Sequence, residues 1–190
     1  MEDYAYILDI GTIAGGRDRR EQRVAFALGD TDFKLFELVP KDNAVINIGD
    51  RVYIGKEASK RDTIDHVKRR ISFTELPNMA ASEIEYAVAD IVKNNEARFI
   101  RFYNEAGPIS LKKHLLEELP GLGKKTMNAI LAERESPRGS FKGYEDLSSR
   151  LSEYQKVQSF KPEKPVVARI VLEIEDPERR RYLFVQNSQK

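Results

Sequence analysis

The chain has 190 residues, 33% of them charged, and its 32 basic and 31 acidic residues leave a formal net charge of +1. That balance excludes a binder of polyanions working through bulk charge, so any such footprint must be local. The absence of cysteine excludes a disulfide framework, thiolate catalysis and a zinc ribbon, and two histidines offer little for a metal site, so no metal or cofactor is expected.

No apolar run is long enough to span a bilayer and no basic leader precedes an apolar stretch, which makes a cytoplasmic protein with no membrane partner the expectation. Near the start, Tyr4 to Ile10, Val24 to Leu28 and Phe33 to Val39 are short β-branched or aromatic runs separated by Gly, Asp and Arg clusters, and they read as strands. Asn47 to Gly55 adds a turn and a fourth strand. Its Gly49-Asp50-Arg51-Val52 segment resembles the Gly-Asp-x-Val element of OB-fold and SH3-like barrels, which implies a small barrel over residues 1–57. Such barrels stack bases on exposed rings, here Tyr4, Tyr6, Phe26, Phe36 and Tyr53, although filling the barrel is the commoner fate of a ring. The loop from Gly15 to Arg23 carries four arginines against two acids, so Arg17, Arg19 and Arg20 are candidate phosphate contacts.

Residues 58–160 read as helical. Thr63 to Arg70 is a basic amphipathic stretch, Ser82-x-x-Glu85 has the form of a capping box, and Ile84, Ala87, Val88, Ile91 and Val92 share one helical face. Phe99, Phe102 and Tyr103 form an aromatic stripe expected in the core. Gly107-Pro108 breaks that helix, and Ser110 suits the N-cap of the next. Leu111, Leu115 and Leu119 recur at i, i+4 and i+8, and Met127, Ile130 and Leu131 at i, i+3 and i+4, so two short helices flank Leu119-Pro120-Gly121-Leu122-Gly123. Pro120 ends the first helix, and the glycines permit a tight turn. The uncovered amides opening the second helix favour an anion, with Lys124 and Lys125 beside them.

This stretch resembles the helix-hairpin-helix motif of proteins that grip nucleic-acid backbones without reading bases. Gly139-Ser140-Phe141 and Glu145-Asp146-Leu147 resemble its usual continuation, and Gly143 stands where such proteins usually carry Ser or Thr as a cap. The resemblance assigns the motif to residues 110–135 and implies backbone contacts from Gly121, Leu122, Gly123, Lys124 and Lys125. Lys112, Arg138 and Lys142 enlarge the footprint, since residues 110–151 hold eight basic and six acidic side chains. His114, without a second histidine nearby, reads as an ordinary surface imidazole. Leu76-Pro77-Asn78-Met79-Ala80 lines up with Leu119 to Gly123, Asn78 standing in as a left-handed turn residue, and suggests a degenerate first hairpin.

Lys161 to Pro165 reads as an extended linker. Ala168, Ile170, Leu172 and Ile174 alternate with Arg169, Val171, Glu173 and Glu175 as a half-buried strand, and Tyr182 to Val185 return after a turn at Asp176-Pro177. Strands within residues 166–186 are expected to dock on the barrel and complete it. The expected fold class is α+β, a small OB-like β-barrel plus an all-helical domain over 58–160. Over nearly its whole length the chain resembles an archaeal family of unknown-function proteins described as predicted OB-fold nucleic-acid-binding proteins, which implies a link to RNA or translation.

The expected function is non-enzymatic, sequence-nonspecific binding of RNA or DNA through its phosphates, with a lean to RNA. A protein-interaction module is the alternative, because helical hairpins also serve as docking surfaces. A DNA-repair glycosylase ranks behind both: Asp146 lies 23 residues past Gly123, yet it belongs to a helix start, and no acid, base or metal constellation accompanies it. No small-molecule substrate is evident.

Overall fold

The computed structural model of the chain describes residues 1–14, 21–155, 159–176 and 178–186. Strands β1 (Tyr4–Ile13), β2 (Gln22–Gly29), β3 (Leu35–Pro40), β4 (Arg51–Tyr53) and β5 (Ile64–Ile71) form an antiparallel sheet in the order β4-β1-β2-β3-β5, curled into a half-barrel. Helices α1 (Asn78–Asn94), α2 (Glu96–Glu105), α3 (Lys124–Arg134), α4 (Tyr144–Gln155) and α5 (Glu163–Glu175) follow, with a small hairpin of β6 (Pro108–Ser110) and β7 (Lys113–His114) between α2 and α3. Two compact units result: Met1–Ala87 together with Val171–Lys190, and Val88–Ile170.

In the first unit the strand period of two aligns Ala5 and Ile7 of β1, Ala25 and Ala27 of β2, Leu38 of β3, Val52 of β4 and Ile64 of β5 in one buried cluster with Ile46 and Ile54. Alanines on the central strands leave room for the sheet to curl over this face. A register shift between Ile7 and Asp9 bulges β1 against β2, the kind of irregularity that bends a strand. Among the described residues no ladder joins β4 to β5, so the sheet stays open along that side.

Four of the five strands fall on the runs expected from sequence. The fifth corrects the reading of Thr63 to Arg70 as an amphipathic helical stretch. Ile64, Val67 and Ile71, the shielded positions of β5, have helix-like spacing, but register shifts against β3 at Glu37/Leu38 and Val39/Pro40 insert residues that break the period of two. The carboxy-terminal strands are likewise corrected: residues 163–175 are helix α5, and Tyr182 to Val185 form no strand. Alternation by two contains a period of four, and it is Val166, Ile170 and Ile174 that are buried, together with Arg169 and Glu173, while Leu172 is 36% exposed. Pro165 sits within the first turn, where it forfeits no intrahelical bond.

Two buried glutamates fasten loops of this unit by their backbone amides. The Glu2 carboxylate accepts from Thr31 N (2.9 Å), Asp32 N (2.8 Å) and Lys34 N (3.3 Å). A Cβ at Gly29 would meet that carboxylate at 2.2 Å, so only glycine lets it approach. Glu173 accepts from Leu183 N (2.7 Å), Phe184 N (3.0 Å) and Val185 N (2.9 Å), and Gln186 N donates to Asp32 O at 3.2 Å.

The edge strand β5 is charged, which blunts pairing with other chains. Its Lys68 Nζ and Arg69 Nε each lie 2.8 Å from the buried carboxylate of Glu37 on β3. Burial alone would raise the Glu37 pKa, but these two cations outweigh it and hold the group below its ordinary value; Lys34 and the chain's amino terminus do the same for Asp32. A depressed carboxylate contributes stability that is complete above its unfolded pKa of about 4 and is lost as pH falls through the folded value. The melting temperature is therefore expected to fall as pH drops below about 5, through the loss of these two contributions. Glu37→Gln should lower it at pH 7 by the equivalent of about 2 kcal/mol and flatten the acid limb, as thermal melts across pH would report.

Candidate functional site

The second unit holds the glycine-rich stretch, and its geometry departs from two flanking helices. Leu111, Leu115 and Leu119 do not share a helical stripe: Leu111 is fully exposed on the turn between β6 and β7, and only Leu115–Glu118 is helical, as a single 3-10 turn. Ser110 ends β6 instead of capping a helix. Lys113 and His114 pair back onto β6, so the chain enters the 3-10 turn from a strand. His114 is not an ordinary surface imidazole. Its Nδ1 accepts from Leu116 N at 3.1 Å while Glu117 accepts from His114 N at 2.6 Å, a reciprocal cap. Burial pushes the imidazole pKa down, which favours the neutral ring this acceptor role requires.

After Leu119 the chain turns through Pro120 and Gly121. Gly121 has φ +78°, the left-handed region that favours glycine, whereas Gly123 is extended at φ −75° and a Cβ there would meet nothing within 4 Å. One glycine shapes the turn and the other leaves its end bare. Gly123 is the N-cap of α3 and offers no side chain to it; the first amide of the helix bonded back is Met127 N, to Gly123 O at 2.9 Å. The amides of the first turn therefore await an external acceptor. Lys124 and Lys125 are exposed beside them and form no ion pair among the described residues, and no acid occupies this turn.

Two buried arginines that sequence reasoning missed fix the 3-10 turn before Pro120 and the far end of α3. Arg169 of α5 is buried and donates through Nη1 to Glu118 O (3.1 Å) and Glu118 Oε2 (3.0 Å), while Lys113 takes the other oxygen of that carboxylate. Beyond α3, buried Arg150 of α4 donates to Glu133 Oε2 at 3.1 Å, to Glu133 O and to Gly139 O at 2.9 Å, with its guanidinium 4.5 Å from the Phe141 ring centroid. The signal was present: Glu133, Arg150 and Arg169 are charges set at apolar stripe positions, beside Ile130, Leu151 and Ile170. The buried face of α3 is accordingly Ala129, Ile130 and Glu133 in place of the Met127, Ile130, Leu131 stripe.

Gly121, Leu122, Gly123, Lys124 and Lys125 thus come together, with Leu122 buried and the other four exposed. Arg138 and Lys142 do not join them. They follow the far end of α3, roughly 15 Å away along an 11-residue helix, and Arg138 is paired with Glu153 at 3.0 Å. Lys112 is exposed at the tip of the β6–β7 hairpin. Arg17, Arg19 and Arg20 lie outside the described residues, as does Pro177 of the turn expected after α5. Of the candidate stacking rings, Tyr6 and Phe26 are buried and Phe36 packs on the sheet core; Tyr4 is covered by Arg51 (3.7 Å to its centroid) and by the edge of Tyr53 (5.3 Å).

Leu76-Pro77 also follows a capped 3-10 turn, Phe73–Glu75, but α1 begins directly at Asn78, whose φ is not positive, and Ala80 is buried within the helix. Ser82 lies inside α1 and bonds Met79 O, so it opens no helix. No open turn corresponding to Gly121–Gly123 exists there. Among the described residues no group of three acidic or histidine side chains is placed to hold a metal ion, and no helix is long and apolar enough to cross a membrane.

The family model described as "Protein of unknown function (DUF655)" matches residues 1–186. The chain belongs to that family. It is 39% identical over 187 residues to the uncharacterized protein MJ0038 of Methanocaldococcus jannaschii, covering 98% of this chain and 81% of that one. The crystal structure of Af1531 from Archaeoglobus fulgidus, a DUF655 protein, is similar at 35% identity with a TM-score of 0.81, covering 97% of this chain and 100% of that one.

Two substitutions separate the roles of the glycines. Gly121→Ala should cost about 1–2 kcal/mol because alanine resists the left-handed region, whereas Gly123→Thr should leave the melting temperature unchanged or slightly raised, since threonine is a suitable N-cap in an extended conformation. Gly143 is a different case: Glu96 Oε1 accepts from Tyr144 N in place of a capping side chain, and a Cβ at Gly143 would meet that oxygen at 2.4 Å. Glu96→Ala and Gly143→Ser are each expected to destabilise by about 1 kcal/mol, and the double variant to recover most of the loss in denaturant melts, because serine then supplies the cap.

Proposed function

We propose that the protein is a non-enzymatic nucleic-acid-binding protein that takes a phosphate at the amino terminus of α3, in the manner of a helix-hairpin-helix, with RNA the favoured ligand. The observation that carries this reading is the bare first turn of α3: unbonded amides behind an extended Gly123, flanked by two exposed lysines that have no acidic partner among the described residues. The helices α2 with Glu96, α4 with Glu145 and Asp146 and α5 with Glu163 open on acids that offset their own N-terminal charge; α3, like α1, has none, and it differs from α1 in carrying Lys124 and Lys125 there. Backbone amides and lysines recognise phosphate without reading bases, so the binding is nonspecific in sequence.

The half-barrel is read as OB-like on the same footing, contributing shape to the family's fold; its rings, covered or buried as they are, argue against a stacking platform on the sheet.

Binding of single- and double-stranded RNA and DNA, measured by fluorescence anisotropy at two salt concentrations, tests the reading. Affinity should fall steeply with salt, and Lys124→Glu with Lys125→Glu should weaken every sequence alike by about tenfold or more. Gly123→Asp should abolish the effect of the bare turn by filling the cap with a carboxylate, losing binding while keeping or raising the melting temperature. Absence of binding at low salt, or indifference to these changes, would falsify the proposal. A protein-docking role predicts that second outcome.

A further inference from the structure

The first unit contains a cavity of about 330 Å³ that the hairpin reading leaves unused. Its wall is built from three separate segments: Phe33 to Leu35 at the start of β3, where Lys34 is paired with Asp32, Arg70 to Thr74 at the end of β5 and in the following 3-10 turn, and Glu173, Ile174, Tyr182 and Val185 at the end of α5 and in the tail. All of these belong to one compact unit. The volume is at the lower end of ligand pockets, which run from roughly 300 to 1,000 Å³, and suits one ring compound with a charged substituent.

Three features say what that compound is. Phe73 and Tyr182, both half-buried, supply aromatic surface, the kind against which a flat heterocycle packs irrespective of its edge pattern, and buried Phe33 backs that wall. Phe33 is held at φ +57°, the left-handed region, by the loop that Glu2 fastens through Thr31, Asp32 and Lys34; a bulky residue persists there only where its surroundings over-determine it, and such residues gather at binding sites. Third, the cations of β5 are not equivalent. Lys68 and Arg69 are spent on Glu37, and Arg69 also on Glu75, whose carboxyl is brought down to about 2 chiefly by the Ser72 amide. Arg70, the next residue, lines the cavity and has no ion pair or hydrogen bond among the described residues. Its guanidinium is suited to bidentate recognition of phosphate. Among the described residues of the wall the one acid is Glu173, and its carboxylate oxygens accept from three tail amides.

We propose that this cavity binds a single nucleotide, its base against the aromatic wall and its phosphate on Arg70. The site is independent of the α3 turn. The nucleotide is either free or the unpaired end of a strand, since both present the same ring and phosphate.

Isothermal titration of the full chain with AMP, UMP, adenosine and inorganic phosphate tests this. AMP or UMP should saturate one site, with adenosine and phosphate each at least about tenfold weaker, because each lacks one half of the recognition. Arg70→Gln should cut nucleotide affinity about tenfold while leaving that for adenosine unchanged, and Phe73→Ala should weaken both nucleotide and nucleoside, with melting temperatures confirming that both variants fold. The Lys124→Glu, Lys125→Glu variant should bind AMP like the unchanged chain, so failure of the cavity and failure of the α3 reading remain distinguishable. Competition of AMP by a short single-stranded oligonucleotide identifies a strand end as the ligand; AMP binding without such competition identifies a free nucleotide. No binding of either nucleotide at millimolar concentration, or AMP binding indifferent to Arg70→Gln, overturns the proposal.

Discussion

Carboxylates that accept hydrogen bonds from backbone amides hold this protein's turns in place. Glu2 takes three amides of the loop before β3, Glu173 three of the tail, and Glu96 the first amide of α4, while Glu75 and Glu117 close the 3-10 turns Phe73–Glu75 and Leu115–Glu118 from within. A hydrogen bond to a charged group contributes about 1.5–3 kcal/mol where a neutral one contributes about 1, and the alternative of burying bare amides is a cost of similar size. A chain that is one-third charged yet nearly neutral overall places many of its acids where irregular backbone must be fixed. Against that habit, the first turn of α3 stands out as amides flanked by lysines with no acid delivered to them.

The buried arginines have the complementary task. Arg150 gathers a side-chain oxygen and two main-chain carbonyls at the end of α3 and the loop after it, and Arg169 fixes the 3-10 turn that leads into Gly121. The 3-10 turn before the glycines and the far end of α3 are thus each tied to a helix by a planar donor that carboxylate and carbonyl oxygens accept from, which is the condition under which a buried charge is tolerated. Removing either partner leaves the other charge stranded, so these pairs position the glycine turn from a distance without touching what it contacts. Tyr144, whose hydroxyl donates to Val92 O at 2.7 Å, and Tyr103, whose hydroxyl donates to Pro162 O, complete the polar satisfaction of the same unit.

Much of the sheet was legible because half-buried strands announce themselves by alternation: β1 to β4 fall on the runs read as strands. The failures have one origin. Periods of two and of 3.6 share the spacing of four, so Val166, Ile170 and Ile174 fit either, and bulges in β5 turned a strand into something with helical spacing. Leu111, Leu115 and Leu119 deceived in the same way, with the outcome set by the hairpin of β6 and β7 that no local pattern disclosed. Within the candidate site, Gly121 to Lys125 was legible because glycine and lysine in that order have a local meaning. The arginines behind it were not read, since their partners lie 17 and 51 residues away in the chain.

The pairing of Glu96 with Gly143 shows how far such a distant partner reaches. Gly143, the residue before helix α4, has no side chain, and the cap arrives from Glu96, 47 positions earlier, occupying the space a Cβ would need. Neither position is free to vary alone: a serine at one asks for a smaller residue at the other. The missing side chain at Gly143 thus records the presence of Glu96 and says nothing about flexibility.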